Sequence, residues 1–248
     1  MVITSRNNPL VRRILSLREK KFRRAAGEYV VEGLKSVREA AESGVHIRLL
    51  VRAEHHPLQN IEADSEVVVS PGVFEKLSEE VSPQGILAVV EMPACTPEPP
   101  RSLSLLLDGV SDPGNMGTVL RTANAAGYED IYLRGCTDPF ASKCVRASMG
   151  GLFRVRLHIG EDAELASALA GIPLICADMG GKNAFCFSPP ERFCLVIGNE
   201  ANGVTEQMRA ACAHTVRVPM RPGCESLNAG VSAGILMYLL RADHFRSV

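Results

Sequence analysis

Apolar residues in the second half of the chain form short continuous runs separated by segments of helical spacing. The runs are rich in Leu, Ile and Val and predict strands at residues 103–110, 130–135, 154–159, 172–178, 193–200 and 214–220. Strands that are apolar at nearly every position are typical of a parallel sheet that is covered on both faces. The pattern therefore predicts an α/β fold with a parallel sheet.

The first part of the chain shows the same alternation on a smaller scale. Residues 8–22 combine helically spaced apolar positions with several cations, which predicts a basic amphipathic helix. Strand-like and helical segments follow as far as residue 92. Four prolines in residues 92–102 cannot lie in a helix or a central strand. We predict a small α/β domain of residues 1–92, a linker of residues 93–102 and a larger domain of residues 103–248.

Residues 226–242 predict a final helix that is apolar around most of its circumference. Its apolar positions include a series four residues apart, namely Leu227, Val231, Ile235 and Leu239. A helix with this pattern is typical of an interface. We therefore expect it to pack against a second surface as well as against the sheet.

Composition and charge exclude several classes of protein. Of 248 residues, 46% are hydrophobic and 22% are charged, which excludes a disordered or fibrous chain. The net charge is only −1, yet residues 1–24 carry eight Lys and Arg against the single acid Glu19. No apolar run approaches the roughly 18 residues of a membrane span, and the first 30 residues lack a signal-peptide core. We expect a cytoplasmic protein without a membrane segment.

The eight cysteines do not form a metal-binding pattern. No two of them are closer than eight residues, so the paired spacing of a zinc site is absent. Several lie inside apolar runs, where free cysteine behaves as a small buried hydrophobe. We predict core thiols rather than disulfides, and no bound metal.

The common motifs of nucleotide-binding proteins are absent, and the one match to a hydrolase motif does not fit its required context. Neither the G-x-G-x-x-G fingerprint nor the G-x-x-x-x-G-K-[ST] loop occurs. Gly230–Gly234 matches the G-x-S-x-G pattern of hydrolases, but Ser232 lies in a predicted helix and only Asp243 and His244 follow it. Small residues that allow close helix packing are the favoured interpretation.

Three polar segments follow predicted strands, where an open α/β sheet builds its site. In residues 108–127, Gly117 and Arg121 are four apart and share a helical face, so Arg121 either clamps a phosphate or is an exposed arginine. Residues 195–204 run from a strand into glycines, which suits a close ligand or a plain turn. In residues 218–234, Ser226 serves the site or simply caps a helix.

Together, in this order, the three segments resemble the signature motifs of the SpoU branch of SPOUT RNA methyltransferases, also called the TrmH-like family. The resemblance covers residues 104–240, and only Val218 stands where the family usually has Ile. It implies a C-terminal SPOUT domain whose parallel sheet ends in a trefoil knot. More loosely, residues 3–17 and 28–40 are similar to the family's N-terminal α/β domain, a ribosomal-protein-like RNA-binding domain.

The resemblance also implies a reaction and its residues. The family transfers a methyl group from S-adenosylmethionine to a ribose 2′-hydroxyl of structured RNA and needs no metal. Its usual substrates are ribosomal or transfer RNA, and we expect ribosomal RNA here. The expected cofactor-binding residues are Gly198, Val218, Leu227, Ile197 and Met220. The expected catalytic residues are Arg121, Asn115, Glu200, Ser226 and Asn228.

The role of Arg121 follows from its chemistry. A guanidinium stays protonated near neutral pH and is a poor base. We therefore expect Arg121 to clamp a phosphate and stabilise the developing alkoxide, while an RNA phosphate or Glu200 accepts the proton. Asn115, Ser226 and Asn228 would orient the ribose and Arg121.

The expected partners are structured RNA and a second copy of the chain. Arg12, Arg13, Arg23 and Arg24 are the candidates for phosphate contacts; the alternative is a solvated charged face. The final helix is expected to form a homodimer, as in the family. A non-catalytic RNA-binding protein on the same scaffold is the alternative function.

Overall fold

The computed structural model describes residues 2–246. The elements up to residue 91 are β1 (Val2–Ile3), α1 (Pro9–Ser16), α2 (Lys20–Ala26), β2 (Glu28–Glu32), α3 (Leu34–Glu42), β3 (Ile47–Ala53), β4 (Glu66–Val69), α4 (Pro71–Leu77) and β5 (Ile86–Glu91). The elements that follow are β6 (Leu103–Asp108), α5 (Pro113–Ala126), β7 (Tyr128–Arg134), α6 (Ser142–Ser148), β8 (Arg156–Ile159), α7 (Asp162–Ala168), β9 (Leu174–Asn183), β10 (Cys194–Gly198), α8 (Glu206–Ala211), β11 (His214–Arg217), α9 (Ala229–Leu239) and α10 (Ala242–Arg246).

The chain folds into two compact units. The first comprises the described residues up to Pro93 together with Asp138–Phe153, and the second comprises the rest. The sequence pattern gives no sign that Asp138–Phe153 belongs with the first unit. Phe140 anchors it there, since its ring lies 4.9 Å from that of the buried Tyr29.

The first unit is built on a mixed five-stranded sheet in the order β1-β4-β3-β5-β2. The predicted helix of residues 8–22 is two helices, α1 and α2, so this prediction is wrong at residues 17–19. Arg23 shows why the chain breaks there. Its buried guanidinium donates to the carbonyls of Leu17 and Arg18, both at 2.7 Å, and so satisfies groups that a continuous helix would have paired internally.

The second unit contains the predicted parallel sheet. Six strands lie in the order β11-β9-β10-β6-β7-β8, and every neighbouring pair is parallel. All six strands predicted from apolar runs are present. The central strands β6 and β10 are buried along almost their whole length, as two covered faces require.

A buried carboxylate fixes the proline-rich segment to this sheet. Asp130 in β7 is 0% exposed and accepts hydrogen bonds from the backbone amides of Arg101 and Ser102. It also accepts from the side chains of Arg156 and His158 in β8. Residues 101 and 102 are therefore pinned where the chain enters β6.

The final apolar segment forms α9 and α10 instead of one helix over residues 226–242. Glycines let α9 approach α5, because a Cβ on Gly230 would lie 3.1 Å from the methyl carbon of Thr118, and one on Gly234 would lie 3.4 Å from that of Thr122. Ser232 lies inside α9 rather than at a strand-to-helix turn, so the G-x-S-x-G match is a packing feature.

Candidate active site

A cleft of about 460 Å³ opens where β10 and β11 end, beside β9. The structure brings together in its wall all five residues expected to bind the cofactor, namely Ile197, Gly198, Val218, Met220 and Leu227. Ser226 and Glu200 also line it. A cleft at the carboxyl ends of parallel strands is the usual ligand site of such sheets.

The loop after β10 forms one wall of the cleft and requires glycine at its start. Asn199 and Gly203 exchange two backbone hydrogen bonds of 2.9 Å, which folds the loop back on β10. A Cβ on Gly198 would overlap the carbonyl carbon of Gly203 and the amide nitrogen of Val204. The close approach leaves main-chain groups lining the cleft where a side chain would otherwise stand.

Glu200 is the anion to which the first two polar segments are tied. One carboxylate oxygen accepts from the amide and hydroxyl of Ser111 at 3.2 and 3.0 Å. The other accepts from the amide of Asp112 at 3.2 Å and from the side-chain amide of Asn115 at 3.0 Å. Burial raises the pKa of Glu200, but the hydrogen bonds from Asn115 and the backbone amides lower it further, to about 2.

The third segment joins the same network through an amide pair. The side-chain nitrogen of Asn228 donates to the side-chain oxygen of Asn115 at 2.8 Å. The oxygen of Asn228 accepts from the amide of Val231 at 3.2 Å and so caps α9. Asn228, rather than Ser226, is therefore the helix cap, and one continuous chain of contacts links all three segments.

Arg121 stands apart from this network. It lies on α5 six residues after Asn115, about 9 Å further along the helix axis. Its side chain is exposed and makes no hydrogen bond or ion pair within residues 2–246. The expectation that Asn115, Ser226 and Asn228 orient Arg121 by hydrogen bonds is wrong, because the Arg121 side chain bonds to none of them. Asn228 instead donates to Asn115, and Asn115 donates to Glu200. The guanidinium is left available for an external anion.

Comparison with known proteins identifies the family. Residues 102–238, more than half of the chain, match the family described as SpoU rRNA Methylase. The chain belongs to the SpoU rRNA methylase family. Residues 8–88 match the MRM3-like substrate binding domain. The resemblance stated from the sequence motifs is thereby confirmed, and with it the α/β class and the activity of an RNA methyltransferase.

Several relatives align with this SpoU methylase over nearly its whole length. A 23S rRNA guanosine 2′-O-methyltransferase of Bacillus subtilis is 32% identical, covering 96% of this chain and 98% of that protein. The AdoMet-bound rRNA methyltransferase of Sinorhizobium meliloti superposes with a TM-score of 0.87 at 27% identity, covering 98% of each chain. The SpoU methyltransferase AviRb of Streptomyces viridochromogenes, also in complex with AdoMet, gives 0.87 at 28% identity, covering 96% of this chain and 99% of that one.

The cleft of this SpoU methylase fits S-adenosylmethionine, the methyl donor of the family. Ile197, Val218 and Leu227 supply apolar surface for a flat adenine ring. The main chain exposed at Gly198 supplies donors and acceptors without the bulk of a side chain. A volume of about 460 Å³ lies in the range typical of small-molecule sites.

Two charged pairs beside the SpoU site were missed by the sequence analysis. Asp178 and Arg209 both line the cleft and form an ion pair of 2.6 Å. Beneath the loop, the buried Asp108 accepts from the amide of Thr205 at 2.7 Å and from Arg134 at 2.8 Å. The only sequence signal for Asp108 is its place as a polar residue at the end of an apolar run, which does not reveal its partners.

The first unit corrects part of the predicted RNA-binding set. Arg23 is 4% exposed and paired with Asp138, so its assignment to RNA contact is wrong. Arg13 is half exposed but is paired at 2.5 Å with the buried Glu28. Arg12 and Arg24 are exposed and have no carboxylate partner among the described residues.

Residues 2–246 include all potential metal ligands and helices that the structure describes. That part of the chain contains no group of three or more His, Cys, Asp or Glu side chains arranged to hold a metal ion. None of its helices is long and apolar enough to cross a membrane. None of the eight cysteines, all of which lie within the described residues, forms a disulfide, and Cys144, Cys176 and Cys194 are buried. The cytoplasmic location stays a prediction.

Proposed function

We propose that this SpoU methylase transfers the methyl group of S-adenosylmethionine to a ribose 2′-hydroxyl of ribosomal RNA. The observation that carries the proposal is the contact chain Asn228–Asn115–Glu200, which joins all three motif segments beside the cleft. The rRNA 2′-O-methyltransferases among the relatives support both the ribose oxygen and the class of RNA.

Catalysis rests mainly on positioning. The bound donor supplies an electrophilic methyl group, and the attacking oxygen must lie in line with it. The contact chain holds the start of α5 and the start of α9 against the loop at Glu200. Fixing the reacting groups in this way contributes several kcal/mol, up to about 7 to 11.

Glu200 does not accept the proton in this mechanism. Both of its oxygens already accept hydrogen bonds from Ser111, Asp112 and Asn115, so neither is free to take the ribose proton. A neighbouring RNA phosphate assists the deprotonation, and the proton passes to solvent water as the methyl group bonds to the ribose oxygen. The unpaired guanidinium of Arg121 binds phosphate and stabilises the negative charge that develops on the ribose oxygen.

We also propose a homodimer and a knotted C-terminus. Val231 and Tyr238 on α9 are 51% and 43% exposed, which is unusual for apolar side chains on so apolar a helix. A second copy that covers this face would bury them. After the edge strand β11 the chain returns to pack α9 on α5 and β10, nearer the middle of the sheet, and this return supports a threaded path.

Mapping of 2′-O-methyl groups tests the proposed function in cells. Ribosomal RNA from cells that lack the protein should have lost one 2′-O-methyl position. The wild-type gene should restore that position, and an Arg121→Ala gene expressed at the same level should not. An unchanged methylation map in the deletion strain would refute the proposal.

A further inference from the structure

The cations at the start of the chain fall into two groups. Four of the eight are neutralised within the first unit, by the pairs Arg13–Glu28, Arg18–Glu79, Lys21–Glu19 and Arg23–Asp138. The other four are Arg6, Arg12, Lys20 and Arg24, and none has a carboxylate partner within the described residues. The free positive charge of this region is therefore smaller than the sequence indicates, and half of it lies on α2.

Helix α2 also presents an aromatic ring, on the flank opposite to Lys20 and Arg24. Arg23 points into the unit, and successive residues of a helix are about 100° apart. Lys21 and Ala25 therefore lie on the opposite, outward side, with Phe22 on one flank and Arg24 on the other. Phe22 is 40% exposed, although the ammonium of Lys21 lies 4.7 Å from its ring centroid.

This combination favours one class of ligand. An exposed phenylalanine alone is ordinary. Unpaired RNA bases, however, stack on exposed aromatic rings, while the flanking phosphates bind cations that no protein carboxylate neutralises. A fully paired duplex offers phosphates but no free base face. The small Ala25 between the two flanks, which is itself exposed, allows a strand to cross the helix closely.

We propose that Lys20, Phe22 and Arg24, called here the α2 surface, bind an unpaired segment of the RNA substrate. The Phe22 ring stacks on one base, and Lys20 and Arg24, on the opposite flank of the helix, bind phosphates of the same strand after it has crossed Ala25. This proposal deepens the proposed function, since it rests on RNA as the substrate and names the structural class of RNA that the first unit prefers.

Binding of the full chain to two labelled RNAs tests the α2 surface. One probe is a hairpin with an unpaired loop, and the other is a blunt duplex of the same length. We expect wild type to prefer the hairpin. Phe22→Ala should weaken hairpin binding by about 5- to 150-fold and leave duplex binding unchanged, whereas Phe22→Tyr, which keeps the ring, should bind both probes as wild type does.

Salt dependence separates charge from stacking. Arg24→Ala should lower the slope of log affinity against log salt for the hairpin by about 0.7, the value for one single-strand phosphate contact, and Phe22→Ala should leave the slope unchanged. Lys35→Ala, a control on α3 where Lys35 faces Glu39, should change neither affinity nor slope. Three results would overturn the proposal. The first is an equal loss of hairpin and duplex binding in Phe22→Ala, the second is hairpin binding by this variant as strong as that of wild type, and the third is a failure of the wild-type chain to bind either probe.

Methyl transfer distinguishes this proposal from the proposed function. If both hold, Phe22→Ala raises the KM for RNA and leaves kcat nearly unchanged. An active enzyme whose KM is insensitive to Phe22→Ala would refute only the α2 surface. A hairpin preference that depends on Phe22 in a chain that transfers no methyl group would refute only the proposed function.

Discussion

Two charged side chains of the site, Glu200 and Arg121, have opposite environments. Glu200 accepts several hydrogen bonds and has a pKa of about 2, so it stays an anion throughout the physiological range. Arg121 is exposed and unpaired within residues 2–246. A carboxylate whose oxygens all accept hydrogen bonds stabilises the surrounding structure, whereas an exposed guanidinium without a partner can bind an external anion. This contrast assigns Glu200 to positioning and Arg121 to contact with RNA.

Replacement of Arg121 should therefore affect chemistry and spare the donor. Arg121→Ala should lower the rate of methyl transfer by about 100- to 1,000-fold, the cost of removing one group that stabilises developing negative charge. Donor affinity measured by calorimetry should stay within about twofold of wild type, because Arg121 does not line the cleft. Arg101→Ala, which removes another exposed arginine, should behave as wild type. Loss of donor affinity in Arg121→Ala would contradict the assignment.

Gly198 gives a second prediction at the residue scale. In Gly198→Ala the new methyl group would overlap the backbone at Gly203 and push the loop away from β10. We expect donor affinity to fall more than tenfold. Gly72→Ala is the matched control, since a Cβ there meets only the end of Arg6, at 3.5 Å. Wild-type donor binding by Gly198→Ala would show that the loop does not shape the cleft.

At the scale of elements, Asp130 connects β7, β8 and the segment that enters β6. Burial raises the pKa of Asp130, but hydrogen bonds from Arg156, His158 and two backbone amides lower it further, from 3.8 to about 2. A carboxylate with a lowered folded-state pKa stabilises the protein above its unfolded-state pKa. That stabilisation is lost as the pH falls from about 4 to about 2.

Asp130→Asn should remove this pH-dependent stabilisation. The lowered pKa corresponds to about 2 kcal/mol at neutral pH, and breaking a buried charge pair costs about 3 to 5 kcal/mol. We expect the free energy of unfolding, measured with denaturant at pH 7, to fall by an amount in this range. The loss should become smaller as the pH approaches 2. Asp64→Asn removes an exposed carboxylate paired with His46 and should cost less than about 1 kcal/mol. If the free energies of unfolding of wild type and Asp130→Asn differed by the same amount at every pH, this role of Asp130 would be contradicted.

The elements show where sequence patterns succeed and where they fail. The central strands β6 and β10 were predictable because each is a continuous apolar run that is buried on both faces. The break between α1 and α2 was not, because it depends on Arg23, a residue whose inward direction no local pattern reveals. The five cofactor residues were found only through the family motifs. The Asp178–Arg209 and Asp108–Thr205 contacts join distant segments, and no motif contains them.

At the scale of the whole molecule, the exposed face of α9 predicts the oligomeric state. We expect wild type to be a dimer by light scattering, and Val231→Arg to be a folded monomer, because an arginine at the centre of an apolar interface leaves a buried unpaired charge. Leu58→Arg changes a leucine that is 75% exposed in the first unit and should remain dimeric. A monomeric wild type would contradict the proposed interface.

The most direct test of the central claim is methyl transfer in vitro. The purified chain is incubated with S-adenosylmethionine that carries a deuterated methyl group and with unmodified ribosomal RNA, and the digested nucleosides are analysed by mass spectrometry. We expect the label on the ribose of a single 2′-O-methylnucleoside with wild type and its near absence with Arg121→Ala. Label on a base, or no label with the folded wild type, would contradict the central claim.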